Sequence, residues 1–162
     1  MKVFPATLEA VTDVARRMRD VDRREIFAGR FSDGRTLEDL AGLAAHLMAG
    51  ADFALRSEIL ALDDGTPVAS LGAWVLSPGV ASVHMFATDD WARIWRPATR
   101  YCRKEFIPFV LVPNVHRAEC RPWAEHIGAR RWLRHLGFVE EGVARSFGKN
   151  GEDFIYMAWT RG

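Results

Sequence analysis

The chain has 162 residues, a length that suits one domain built around one hydrophobic core. Hydrophobic residues make up 49% of it and charged residues 27%, which is ordinary for a soluble protein. The formal net charge of +1 argues against a nucleic-acid-binding tract or an acidic tail. Cys102 and Cys120 have neither metal nor redox spacing, so no metal is expected and a reduced, intracellular setting is the default. No run approaches the roughly 18 apolar residues of a membrane span.

The first 50 residues are predicted to be mainly helical. Residues 2–6 indicate a short edge strand, because their proline cannot donate to a strand ladder. Thr7 is the expected N-cap of a first helix with an apolar face. The sequence DRRE at residues 22–25 has the form of a capping box and predicts a short helix that ends near Gly29. A further helix is predicted over residues 36–50.

From residue 51 the pattern changes to that of an antiparallel meander. An Asp-Gly pair between two apolar runs is a strong hairpin signal. Three extended segments are predicted, at residues 53–63, 66–76 and 80–88. A long helix follows over residues 92–112, and Pro97 and Pro108 are expected to displace its start or to kink it.

The last third predicts a strand at residues 116–121, a helix and two closing strands. Apolar residues at three-to-four-residue spacing over residues 127–136 indicate the helix, and Gly137 is its expected C-cap. The turn of the final hairpin is predicted at Asn150 and Gly151. The full order is strand, two or three helices, three strands, helix, strand, helix and two strands.

This last third resembles the GCN5-related N-acetyltransferase (GNAT) family. The runs that carry the resemblance are ARRWLRHLGF, EEGV, GEDF and IYMAW, at residues 129–138, 140–143, 151–154 and 155–159. The resemblance implies one α+β domain over residues 1–162, with α/β/α layers. Its GNAT-like sheet would be mixed but mostly antiparallel, with six or seven strands and four or five helices. It also implies transfer of an acetyl group from acetyl-CoA to a primary amine.

In the resembled family, acetyl-CoA lies between the fourth and fifth strands, and its pyrophosphate rests on the amides that begin the next helix. The turn at residues 88–96 departs from the family because it has no glycine and contains two aspartates, although its arginines could contact phosphate. Leu133 stands where the family has a tyrosine acid. The cofactor-binding residues that the resemblance implies are Met85, Phe86, Ala87, Thr88, Trp91, Ala92, Arg93, Ile94, Arg96, His126 and Arg130. Backbone N–H groups at residues 85–87 would polarise the thioester.

Two residues are candidates for the general base of such a transfer, His84 on the fourth strand and Glu119 on the fifth. The alternatives are that His84 is a core histidine and that Glu119 forms an ion pair with a neighbouring arginine. Asp22, Arg23 and Glu25 lie where the resembled family builds the wall of its acceptor site. The alternative for this charged run is a solvated helix face.

A second hypothesis is not enzymatic. Residues 22–26, 128–133 and 151–154 also resemble GNAT-related proteins of tailed phages, some of which are classed as internal virion proteins. The chain would then be a virion or host-interaction component with little or no catalysis. The acceptor, a small molecule or a protein, stays open, as does a homodimer or a phage-particle partner. The expected location is the cytoplasm, that of a bacterial host if a phage encodes the chain, or the virion.

Overall fold

A computed structural model describes residues 1–49, 54–111 and 114–161, which form a seven-stranded sheet in the order β1-β2-β3-β4-β5-β7-β6. All neighbouring strands are antiparallel except β4 and β5, which are parallel. The predicted mixed, mostly antiparallel sheet is therefore confirmed. The strands are β1 (Lys2–Pro5), β2 (Ala54–Ala61), β3 (Pro67–Ser77), β4 (Val80–Ala87), β5 (Arg117–Cys120), β6 (Val139–Ala144) and β7 (Phe154–Thr160).

Helices cover both faces of the sheet. They are α1 (Leu8–Arg16), α2 (Asp20–Ala28), α3 (Leu37–Ala49), α4 (Trp91–Tyr101), α5 (Ile107–Val110) and α6 (Ile127–Leu136). The front face is the one whose core contains residues of α1, α2 and α3, packed on Ile59 and Phe86. The back face carries α4, α5 and α6, packed on Leu71 and Ala87. Phe86 and Ala87 lie in different cores because side chains alternate along β4.

The N-terminal helices begin differently from one another. Thr7 caps α1 as predicted, since its Oγ1 accepts the N–H of Ala10 at 3.2 Å. The capping box predicted at residues 22–25 is wrong, because α2 already begins at Asp20. The side chain of Asp22 is instead buried in a tertiary contact, which a local sequence pattern cannot show.

The predicted long helix is one helical body in three parts. Helix α4 is followed by a π-helical turn, Cys102–Phe106, and then by α5. Pro108 lies in the first turn of α5, directly after the π turn, and its missing N–H accounts for the irregular bonding there. The predicted ends at residues 50 and 112 and the predicted strand start at residue 53 lie outside the described residues. No helix among the described residues is long and apolar enough to cross a membrane.

Strands β4 and β5 pair over three residues only. Val80 faces Arg117, Ala81 faces Ala118, and Ser82 faces Glu119. Beyond Ser82 no further pair forms, and β5 continues on its other side against β7. The sheet therefore has a V-shaped gap between the C-terminal half of β4 and the end of β5.

Gly137 provides a test of the turn that leads from α6 to β6. Its φ of +101° is left-handed, and a Cβ there would lie 3.1 Å from Nε1 of Trp159. We expect Gly137→Ala to lower the free energy of unfolding by about 1–2 kcal/mol in urea titrations. The control is Gly42→Ala on α3, where a Cβ meets nothing within 4 Å, and which should stabilise by about 0.5–1 kcal/mol. Equal effects of the two changes would contradict this account.

Candidate functional site

A cavity of about 510 Å³ opens where β4 and β5 separate. It is lined from the front by side chains such as Leu43, Trp74 and His84, and from the back by others such as Phe106 and Trp132. The cavity therefore passes through the sheet at the gap. Most of its wall is apolar, and its polar groups come from α2, from β4 and from the segment that joins β5 to α6.

On the edge of β4 that borders the gap, one backbone amide is hydrogen-bonded within the protein and another faces the opening. The N–H of Thr88 donates to Val68 of β3 at 2.8 Å. Alternation then directs the N–H groups of Ala87 and Met85 away from β3, toward the gap. The Ala87 N–H donates to Asp22 Oδ2 at 2.8 Å, and its carbonyl accepts the N–H of Arg19 at 2.9 Å. Of the amides expected to polarise a thioester, that of Ala87 is occupied, and that of Met85 remains placed to do so.

A cluster of buried and half-buried polar side chains joins α2 to the two parted strands. Arg19 donates from Nη2 to both oxygens of Asp22, at 2.8 and 2.9 Å. Glu25 Oε2 accepts the backbone N–H of Trp123 at 2.8 Å and lies 2.9 Å from Nδ1 of His126. His126 Nε2 is 3.7 Å from Asp22 Oδ1, so the imidazole lies between the two carboxylates. The cluster fixes the position of α2 against both sides of the gap.

The protonation of Asp22 is set by opposing effects. Burial raises the pKa of its carboxyl group, and the Arg19 guanidinium and the Ala87 N–H act in the opposite direction. Asp22 is only 3% exposed, so it has no access to bulk water that would replace these partners. Removal of Arg19 or of the amide contact would take away part of what compensates the burial of this carboxylate.

His84 lies on β4 inside the cavity, and neither of its ring nitrogens has a hydrogen-bond partner among the described residues. Its ring stacks on Trp74 with centroids 4.4 Å apart. The space for the ring comes from Gly72 on β3, where a Cβ would lie 2.1 Å from Cε1 of His84. Burial lowers the pKa of His84 to about 4, so the imidazole is neutral at pH 7. Buried polar atoms without partners are rare, and here both ring nitrogens are shielded from solvent, since the edge of the ring that carries them packs against Gly72.

The start of α4 differs from an open anion-binding turn. The N–H groups of Trp91, Ala92 and Arg93 donate to the carbonyls of Thr88, Asp89 and Asp90, at 3.0, 3.4 and 2.9 Å. Arg93 also donates from Nη1 to Asp90 at 3.1 Å. These turn bonds direct three N-terminal amides back onto the chain rather than outward to a ligand.

The tryptophans and arginines of α4 divide between the cavity and the surface. Trp91 lines the cavity and meets Trp132 of α6 edge to face, with ring centroids 5.3 Å apart. Arg96 instead lies over the ring of Trp95, which is 43% exposed. The observed contacts of Arg93 and Arg96 give no support to the expectation that they face a pyrophosphate.

The structure brings together seven of the sixteen residues that the sequence nominated. Those that line the cavity are Asp22, Glu25, His84, Met85, Phe86, Trp91 and His126. The cavity is not lined by Ala87, Thr88, Ala92, Arg93, Ile94 or Arg96, and Ile94 is buried in the back core. Arg23 donates to the carbonyl of Gly34, and Arg130 donates to Glu140 and to the carbonyl of Ala124. Glu119 forms an ion pair with Arg117 at 2.9 Å, which was the alternative to its role as a general base.

Sequence reasoning missed several residues of the cavity wall. Trp74 could have been found, because the Asp-Gly hairpin and strand alternation place it on the same face as His84. Arg30 follows α2 and Arg121 follows β5, and no local sequence pattern marks either of them as a cavity residue. Cys120 also lines the cavity, but burial raises the pKa of its thiol to about 12, so it is protonated at neutral pH. Among the described residues, no group of three His, Cys, Asp or Glu side chains could hold a metal ion.

No protein family and no curated protein matches the sequence. Solved structures do match the fold over almost the whole chain. A ribosomal-protein-alanine N-acetyltransferase from Brucella melitensis is 15% identical, with a TM-score of 0.71, and the match covers 99% of this chain and 100% of that one. Mycobacterium smegmatis RimJ in complex with CoA-disulfide is 20% identical, with a TM-score of 0.70 and coverage of 98% and 80%.

AAC(6')-Ib in complex with ribostamycin and coenzyme A is 17% identical, with a TM-score of 0.72. That match covers 99% of this chain and 93% of the other. At these sequence identities, the similarity shows a shared fold and no more. The strand order, the parallel β4–β5 pair with its gap, and the helices on both faces are therefore those of the GNAT fold.

His84 provides a test of the buried, neutral imidazole. A folded pKa of about 4, below the ordinary 6.5, contributes stability above pH 6.5 that is lost as the pH falls toward 4. We expect the free energy of unfolding to fall by on the order of 1 kcal/mol per pH unit between pH 6 and pH 4.5 from this residue. Urea titrations of His84→Gln should show a correspondingly flatter pH dependence. His46→Gln, on the exposed side of α3, should keep the slope of the parent protein. Equal slopes in all three proteins would contradict a shielded His84.

Proposed function

We propose that the protein transfers an acetyl group from acetyl-CoA to a primary amine. The observation that carries the proposal is the cavity at the parting of β4 and β5, with the Met85 amide directed into the gap. A thioester laid along this edge would meet a backbone donor on one side and apolar walls on the other. The fold of N-acetyltransferases, two of them solved with coenzyme A or its disulfide, supports the same assignment.

The donor arm is proposed to lie in the gap as a strand-like partner of β4. The pantetheine amides would pair with the free edge of β4 around Met85, much as an added strand would. The phosphates would lie over the start of α4, where the amides of Asp89 and Asp90 make no backbone hydrogen bond among the described residues. Because two carboxylates stand at this turn, phosphate should contribute less to affinity than at a glycine-rich turn. Most of the binding free energy would then come from the pantetheine arm.

The acetyl transfer would proceed by direct attack. The amine nitrogen forms a bond to the thioester carbonyl carbon, the nitrogen loses a proton, and the C–S bond breaks to release the CoA thiolate. His84 is the group we propose to accept that proton, since its imidazole lines the cavity and neither ring nitrogen has a partner among the described residues. The ring would have to turn for this step, because both nitrogens now pack against Gly72. Leu133 offers no acid, so the departing thiolate would be protonated by solvent. Glu119 is not carried into this proposal, because Arg117 holds it outside the cavity.

One observation favours the non-enzymatic alternative, a GNAT-fold protein kept as a virion or host-interaction component. The first amides of α4 bond to the carbonyls of the preceding turn, which reduces the number available for a pyrophosphate. In such a protein the gap between β4 and β5 would remain, but no thioester would bind in it. Binding of acetyl-CoA separates the two hypotheses directly.

Gly128 on α6 offers a way to block the cavity without disturbing the core. It lines the cavity, and a Cβ at this position meets nothing within 4 Å. We expect titration calorimetry to show acetyl-CoA binding at micromolar concentration, on the order of −8 kcal/mol. Gly128→Leu should weaken that binding at least tenfold, because its side chain would occupy the cavity.

The matched control is Gly42→Leu, the same substitution on exposed α3 with equally open space. It should bind acetyl-CoA as the parent protein does. Absence of binding to the parent protein would refute the transferase proposal. Unchanged binding in Gly128→Leu would refute the placement of the donor in this cavity.

A further inference from the structure

Arg30 is a half-buried cation that lines the cavity from the end of α2. Its guanidinium forms no ion pair and no side-chain hydrogen bond within residues 1–49, 54–111 and 114–161. Burial lowers its pKa, and no nearby anion offsets that effect. A partly buried guanidinium without an anionic partner is costly, so this position favours an anionic ligand.

The carboxylates of the cavity are already committed to other partners. Asp22 accepts from Arg19 and from the Ala87 amide, and Glu25 contacts His126 and the Trp123 amide. Neither carboxylate forms an ion pair with Arg30. The cation therefore faces the cavity as a surplus charge.

A second guanidinium, that of Arg121, also lines the cavity. Arg121 follows β5 and lies over the rings of Phe147 and Tyr156, with its guanidinium carbon 5.5 and 5.2 Å from their centroids. In the described part of the chain it pairs with no carboxylate. Stacking on aromatic rings holds a guanidinium in place while its N–H groups stay available to an anion.

The position of Arg30 separates it from the proposed phosphate site. The loop of the final hairpin docks beside it, where the Lys149 N–H donates to the Ala28 carbonyl at 2.8 Å and Lys149 Nζ contacts Asp33 at 2.6 Å. This region belongs to α2 and the β6–β7 hairpin, on the front face, whereas the start of α4 lies behind the sheet. The anion that Arg30 favours is therefore not a phosphate of the donor placed over α4.

The front wall of the cavity also has an apolar part. Ile26, Leu43, Leu47 and Trp74 supply it, and their side chains offer no hydrogen-bond acceptor. A ligand that fits this surface has an apolar body and one anionic end. Carboxylate matches the planar fork of a guanidinium, which can donate two parallel hydrogen bonds to it.

We propose that the acceptor amine is an apolar amino acid, whose carboxylate Arg30 binds with Arg121 as the second cation. This inference rests on the proposed transferase function and specifies the chemical class of its acceptor. The amine end of the ligand is directed toward His84 and the gap, and the side chain lies against Trp74. Arg30 is a specificity-determining residue in this arrangement.

The test compares L-phenylalanine with L-phenylalaninamide, in which a neutral amide replaces the carboxylate, at a pH where both α-amines are protonated for the binding measurement. Both are measured by calorimetry on the protein alone, and by CoA release in the presence of acetyl-CoA. We expect the acid to bind at least tenfold more tightly than the amide and to have the lower KM. Arg30→Gln should abolish that difference, and Arg30→Lys should recover part of it. Arg24→Gln, on the exposed side of the same helix, should leave it unchanged.

The outcomes distinguish this proposal from the transferase function. Preference for the acid without acetyl-CoA binding would support the anion site and refute the transferase. Binding of acetyl-CoA with equal response to acid and amide, or to neither, would overturn the anion site alone. A preference for the acid that persists in Arg30→Gln would also overturn it.

Discussion

The open edge of β4 is the constraint on which the rest of the site depends. Once β4 and β5 part after Ser82, each backbone amide along that edge needs a partner other than a neighbouring strand. Asp22 supplies one by accepting the Ala87 N–H from within α2. The amide of Met85 is left for whatever occupies the gap. The Asp22 carboxylate therefore binds the amide at the end of the gap, and the Met85 amide farther along the same edge stays available to a ligand.

The charges of the site follow from this use of Asp22. A carboxylate buried to hold an amide needs a cation, and Arg19 provides it, while Glu25 and His126 tie the same helix to the far strand. The carboxylates of the cavity therefore have structural partners, whereas Arg30 and Arg121 line it without a carboxylate partner among the described residues. This distribution suits an acceptor that carries an amine and an anionic group better than one that is purely cationic.

The sequence predicted those parts of the fold that depend on local chemistry. Thr7 and Gly137 were recognised because a cap and a left-handed turn each require particular side chains. The order of elements along the chain followed from local patterns, and the mixed, mostly antiparallel sheet followed from the resemblance of the last third to a known family. Asp22 was misread as a helix cap, because its true partner is an amide 65 residues away. Arg30 was missed for a similar reason, since only the three-dimensional cavity shows that its charge lacks a partner.

The most direct test of the account is the backbone amide of Met85, observed by nitrogen-15 NMR during addition of acetyl-CoA. The account predicts that the Met85 resonance shifts and that its N–H becomes protected from hydrogen exchange. The Gly65 amide, in the hairpin turn between β2 and β3, should stay unchanged. A Met85 resonance and an exchange rate that do not change on addition of acetyl-CoA would contradict the claim that the open edge of β4 binds the donor.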